Sequence, residues 1–170
     1  MTRSIILRIA LCGVFSGLCF VLTAFCQIPY AGGVGYLNLG DLATLLMAMA
    51  LGPVEGAIVG MIGGSLGDAF LGFGAYVPFT LLAKGLMGAL TGLSFLFLRK
   101  RKALRFLSGY IGATVMIGVY MICYAVLEGP ALYLSSAFDC VQGYGMATLV
   151  IPLYLGIEKS GVLLRFQKQK

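Results

Sequence analysis

The sequence has no histidine and no tryptophan, and only 11% of its 170 residues are charged. A soluble domain carries roughly a quarter charged residues, so a soluble globular chain is excluded. A disordered chain, which needs charge and few apolar groups, is excluded too. The five cysteines, Cys12, Cys19, Cys26, Cys123 and Cys140, form no CxxC pair. With no imidazole beside them they make no recognisable zinc site, and neither metal nor cofactor is expected. All five lie in or beside apolar runs and read as small core- or lipid-facing residues. Walker A, HExxH and GxSxG motifs are absent as well. ATP hydrolysis through a P-loop is thereby excluded, and an enzyme is not expected.

What is present is apolar: 60% of the residues, with a mean hydropathy of +1.00. A bilayer core about 30 Å thick takes roughly 20 such residues per helix. The chain therefore reads as one integral membrane domain over 1–170. Apolar segments lie at about 5–26, 41–52, 54–73, 77–98, 106–127 and 134–157. The second is short and crosses only if tilted or extended by its neighbours. Gly52-Pro53 reads as a tight turn into the third. Arg3 and Arg8 before an apolar run imitate a signal peptide, but the run reads as an uncleaved first helix. Between spans one and two, Tyr30 to Gly40 holds four glycines in eleven residues and reads as a flexible loop. The predicted fold is an all-α bundle of six transmembrane helices.

Topology follows from the lysines and arginines. With six spans, eleven of the twelve fall on one side: Arg3, Arg8, the Arg99–Arg105 cluster, Lys159, Arg165, Lys168 and Lys170. The positive-inside rule places that side, and both termini, in the cytoplasm. The pI of about 9.2 is then a signature of topology. It calls for no nucleic-acid partner, while contact with anionic membrane lipid comes along with it.

Charged groups inside a bilayer are costly and mark function or pairing. Asp41, Asp68, Lys84, Glu128, Asp139 and Gln142 all fall in the outer third of the predicted bundle, from five different spans. One reading is an outward-facing polar pocket under the Gly-rich loop. The other is a Lys84–Asp ion pair plus helix caps, with Asp41 as an N-cap. Four outer acids against one lysine favour a neutral or protonatable ligand. Glu55 and Glu158 at the cytoplasmic edge read as solvated. Six tyrosines cluster toward the outer half as belt residues, Tyr120, Tyr124, Tyr133 and Tyr144 among them; Tyr36 and Tyr76 are the ones best placed to stack on a flat ligand. Glycines four apart in spans three and four imply close helix packing. Ala10, Gly13 and Gly17 give the first helix a small-residue face that suits another membrane protein.

These motifs in order resemble the substrate-binding (S) components of energy-coupling factor (ECF) transporters: Tyr36-Leu37-Asn38-Leu39-Gly40-Asp41, Leu51-Gly52-Pro53-Val54-Glu55-Gly56, the run from Gly60 to Asp68, Tyr76 to Gly85, and Gln142-Gly143-Tyr144-Gly145. The likeness runs from about 5 to 157. It implies a six-helix subunit in the bacterial plasma membrane that binds a vitamin or precursor from outside under the first extracellular loop, 27–40. The resemblance also implies a transmembrane coupling protein and two cytoplasmic ATPases as partners. It further implies that the bundle topples in the membrane to release substrate, with ATP hydrolysis resetting it. Within the family the chain looks closest to the subgroup associated with hydroxymethylpyrimidine or pyridoxine-type compounds, with riboflavin next. The implied site is Tyr36, Asn38, Asp68, Tyr76, Thr80, Lys84, Asp139 and Gln142. In it Thr80, Lys84, Asp139 and Gln142 bond ring substituents, and Tyr36 and Asn38 close the lid. The family's AxxxA-like contact face departs here, since Val14 follows Ala10 by four and Gly13 and Gly17 supply the small residues. The competing class is a self-sufficient transporter or channel using Asp68, Lys84 and Asp139 as an ion relay.

Overall fold

The predicted apolar segments each become a helix in the computed structural model, which describes residues 3–30, 35–127, 129 and 135–161. In chain order these are α1 (Arg3–Phe25), α2 (Gly40–Ala50), α3 (Pro53–Phe70), α4 (Val77–Leu98), α5 (Leu107–Leu127) and α6 (Ser135–Lys159). Four of them, α1, α4, α5 and α6, are long and apolar enough to cross a membrane. The 18 residues of α3 have the length, but five glycines and the carboxylates of Glu55 and Asp68 dilute its hydropathy. The 11 residues of α2 span only about 16 Å at 1.5 Å per residue.

Sequence punctuation sets the boundaries. Gly52 turns α2 into α3 at φ +130°, in the left-handed region that favours glycine, and Pro53 supplies the first position of α3. Between α1 and α2 the described residues form two short strands. β1 (Ile28–Tyr30) and β2 (Gly35–Leu37) pair antiparallel, with Pro29 opposite Tyr36. The flexible-loop expectation is thus corrected to a short ribbon at 28–30 and 35–37, while 31–34 lie outside the described residues. Main-chain pairing satisfies polar groups that a bare loop would leave to water.

Successive helices alternate in direction. One end of the bundle gathers Arg8, Glu55, Arg105 and Glu158, and is called the basic end below; the ribbon lies at the other. The expectation that Glu55 and Glu158 are merely solvated is corrected here. Arg8 bonds Glu55 at 2.6 Å, and Arg105 holds both oxygens of Glu158 at 2.7 and 2.6 Å. The Arg105 guanidinium also lies 4.8 Å from the Phe106 ring centroid and 5.5 Å from that of Tyr154. Planar guanidinium favours such bidentate and stacked arrangements.

The third helix is the hub, and glycine is why. A Cβ at Gly56 would lie 2.5 Å from that of Ala48 on α2, and one at Gly63 2.5 Å from that of Cys19 on α1. One at Gly88 of α4 would lie 2.3 Å from the Gly56 backbone. Close backbone approach, the expectation for spans three and four, is what the helices show. The main core joins Leu45, Met49, Met87, Phe95, Met116, Ile117 and Val150, and a smaller one joins Cys12, Cys19, Met47 and Val59. Cys12, Cys19 and Cys123 are buried free thiols.

Candidate functional site: a buried polar layer beneath the ribbon

Because α2 is short, its first turn starts well inside the bundle. Asp41 is thereby carried to the depth of Lys84, which sits seven residues into α4. Both side chains are buried, at 1% and 2% exposure. The Lys84 ammonium pairs with Asp41 Oδ1, approaches Met116 Sδ at 3.3 Å and lies 5.7 Å from the Tyr120 ring centroid. Each contact offsets part of the cost of keeping a charge out of water.

Gln142, on α6, completes this cluster. Its amide donates to Asp41 Oδ2 at 2.7 Å, and its oxygen accepts the Asn38 N–H at 2.9 Å. Asn38 follows β2 directly, and its Oδ1 lies 3.5 Å from Thr23 Oγ1 of α1. A second cluster stands beside the first. Thr80 donates to Asp68 Oδ2 and shares a 3.0 Å hydrogen bond with the Tyr120 hydroxyl. In a third, Tyr124 donates to Asp139 Oδ2 at 2.8 Å. Rings join the three: Tyr120 stacks on Tyr124 at 6.3 Å, and Tyr76 meets Tyr124 edge-on at 6.3 Å.

Of the eight predicted binding residues, Asn38, Asp68, Tyr76, Thr80, Lys84, Asp139 and Gln142 therefore converge from α2, α3, α4, α6 and their flanks. Tyr36 falls on β2, and its side chain lies outside the described residues, as do Glu128, Tyr133 and Arg165. Two contributions differ from the sequence reading. Asp41 is no N-cap: Leu39 holds that position without a side-chain cap bond, and the carboxylate turns inward to Lys84 and Gln142. Tyr120 and Tyr124 are not belt residues but the aromatic wall of the polar layer. Their i, i+4 spacing on α5 put them on one face, which was the available signal. Tyr144, another belt reading, sits on the outer face of α5 and α6, where it bonds Thr114 at 3.2 Å. Among the described residues no cluster of three or more metal-ligating side chains occurs.

Chemically, the layer offers one ammonium, three carboxylates, two carboxamides, two threonine hydroxyls and a stack of phenols. Such a set can hold a flat polar ring by its edge substituents and its face. It contains no activated nucleophile beside a base.

The predicted partner face lies elsewhere. Gly13 and Gly17 line a groove of about 750 Å³ between α1 and α3, with Ile9, Phe20, Val54 and Ile62 in its walls. A Cβ added at either glycine would meet nothing within 4 Å. Ala10 is exposed on the same helix, outside the groove lining.

Comparison with known proteins gives four likenesses. A family profile described as the ECF-type riboflavin transporter, S component, matches residues 4–159. The thiamine precursor transporter HmpT of Lactococcus lactis subsp. cremoris (strain MG1363) is 29% identical over 173 residues, spanning 99% of this chain and 98% of that protein. An uncharacterized protein of Pyrococcus woesei is 38% identical over 72 residues, 42% of this chain; the match spans 48% of that protein's own length. In fold, the solved S component of a bacterial ECF transporter superposes with a TM-score of 0.65 at 24% identity, covering 89% of this chain and 95% of that one. The family profile matches nearly the whole chain, residues 4–159, and leads to one conclusion. The chain belongs to the family of S components of ECF-type riboflavin transporters.

Proposed function

We propose that this S component is the high-affinity substrate-binding subunit of an ECF importer for a hydroxymethylpyrimidine- or pyridoxine-type compound, with riboflavin the next candidate. The observation that carries the reading is the buried layer around Asp41, Lys84 and Gln142. An ion pair between α2 and α4 held out of water by partners from α5 and α6 is costly, and such residues mark substrate paths in membrane proteins. Three carboxylates against one ammonium suit a flat, neutral or weakly basic ring better than an anionic one. The full-length likeness to a thiamine precursor transporter supports the same class.

In this reading all six helices cross or enter the plasma membrane, with the basic end and both termini in the cytoplasm. Residues 27–40 form the lid on the outer side. Thr80, Lys84, Asp139 and Gln142 bond ring substituents, Asp68 anchors Thr80, and Tyr76 packs against the ring face. Tyr36 and Asn38 close above. A transmembrane coupling protein docks on α1 at Ala10, Gly13 and Gly17 and links the subunit to two ATPases, which supply the energy this chain has no motif to generate.

The test is to purify the chain in detergent without added ligand, denature it and identify the released small molecule by mass spectrometry. A stoichiometric pyrimidine or pyridoxine-type compound is expected. An anionic vitamin, or uptake by the chain alone that collapses with an uncoupler, contradicts the reading.

A further inference from the structure

The carboxamide of Gln142 is used at both ends, and the two uses fix its orientation. Its oxygen faces a donor, the Asn38 N–H at 2.9 Å. Its nitrogen faces an acceptor, Asp41 Oδ2 at 2.7 Å. A flipped amide would set donor against donor and oxygen against carboxylate, losing both bonds. Gln142 is 4% exposed, Asn38 6% and Asp41 1%, so water does not compete. The other Asp41 oxygen pairs with Lys84. An unbroken chain of polar contacts therefore runs from the Lys84 ammonium on α4, through Asp41 and Gln142, to the backbone where β2 enters α2. It continues through the Asn38 side chain toward Thr23 on α1. Thr23 is itself wedged into the bundle: a Cβ at Gly40 would lie 2.3 Å from its Oγ1, and one at Gly67 2.3 Å from its Cγ2.

We propose that Gln142 is a positioning residue that ties the exit of β2 to the Asp41–Lys84 ion pair, so that engagement of the ion pair and seating of the ribbon are one event. The inference deepens the reading of this layer as the ligand site. It adds that Gln142 acts on the ribbon through Asp41. A ligand group that bonds Lys84 or Asp41 then stiffens Asn38 without touching it, and loss of the ion pair loosens Asn38 although its own acceptor remains.

The experiment uses the full chain in detergent without ligand, so its outcome does not depend on the identity of the vitamin. Hydrogen exchange is followed in the peptide containing the Asn38 amide. Two variants keep an oxygen at position 142 for that amide while removing its tether: Gln142→Glu, which sets a second carboxylate against Asp41, and the charge-free pair Lys84→Met with Asp41→Leu. Tyr110→Phe, which removes a 2.8 Å bond to Thr148 far along α5 and α6, controls for general loosening. The proposal expects exchange at Asn38 to rise about tenfold in both tether variants, the scale of one lost buried hydrogen bond, with no change in the control. Unchanged exchange in both tether variants overturns it, because the Gln142 oxygen is then an isolated contact. A rise of the same size throughout the chain, control included, overturns it as well. A parent protein that binds none of the candidate vitamins removes the ligand reading and leaves the exchange result standing.

Discussion

The polar layer beneath the ribbon and the open face of α1 are opposites in construction. In the first, every described member of the set has a partner, supplied from distant parts of the sequence: Asp41 to Lys84, Gln142 to Asn38, Tyr124 to Asp139. In the second, glycines stand where nothing meets them. Few residues of α1 are buried, whereas the span containing α4 is much more enclosed. The same chain also spends glycine in two ways. At Gly63 and Gly67 the missing side chain lets α1 press against α3; at Gly13 and Gly17 it leaves space. A region that is over-connected inside suits recognition of a small polar molecule. A region stripped of side chains on a lipid-facing helix suits another helix.

The comparison can be broken by substitution, and the largest effect belongs to the ion pair. Lys84→Ala leaves Asp41 as an uncompensated buried charge and should lower stability by about 3–5 kcal/mol, read as a drop in the unfolding temperature in detergent. The paired change Lys84→Met with Asp41→Leu should recover most of that stability, since apolar replacement of a buried pair is often neutral. It should not recover ligand binding. Recovery of both would make the pair structural only.

The two classes of glycine come next. Gly63→Ala drives a Cβ to within 2.5 Å of Cys19 and should destabilise the fold by about 1–3 kcal/mol. Gly13→Leu and Gly17→Leu should leave unfolding and ligand affinity unchanged while abolishing co-purification with the coupling protein and ATPases. Survival of the complex in both variants would remove the α1 face from the account. For Gln142→Ala, ligand affinity should fall by about 1–3 kcal/mol, the cost of a buried polar partner lost, measured by calorimetric titration. The smallest effect is expected at the basic end. There the Arg8 side chain is 31% exposed and that of Glu55 10%, so solvent reaches the pair from one side, and Arg8→Ala should cost about 1 kcal/mol, read from the same unfolding curves.

Much of this was legible in the sequence, for identifiable reasons. Apolar length found the six helices, and Gly52-Pro53 marked the α2–α3 turn because both residues have strong backbone preferences. The cost of intramembrane charge pointed to Lys84, Asp139 and Gln142 before any geometry was known. Asp41 was harder: beside Gly40 at a helix start, local chemistry favours a cap, and only the shortness of α2 carries it inward. Tyr120 and Tyr124 share composition with interfacial tyrosines, and only packing against α4 and α6 turns them into a wall. The ribbon was missed because glycine-rich stretches encode no pattern of side chains that would announce pairing. The partners of Glu55 and Glu158, 47 and 53 residues away, are invisible to any local reading.

The central claim is that the layer around Asp41, Lys84 and Gln142 binds a flat, uncharged or weakly basic vitamin precursor. Titration of the purified chain with hydroxymethylpyrimidine, beside the same titration of the stability-restored Lys84→Met, Asp41→Leu variant, tests it most directly. One tight site is expected in the parent and none in the variant. Equal binding by both, or tight binding of an anionic vitamin instead, would contradict it.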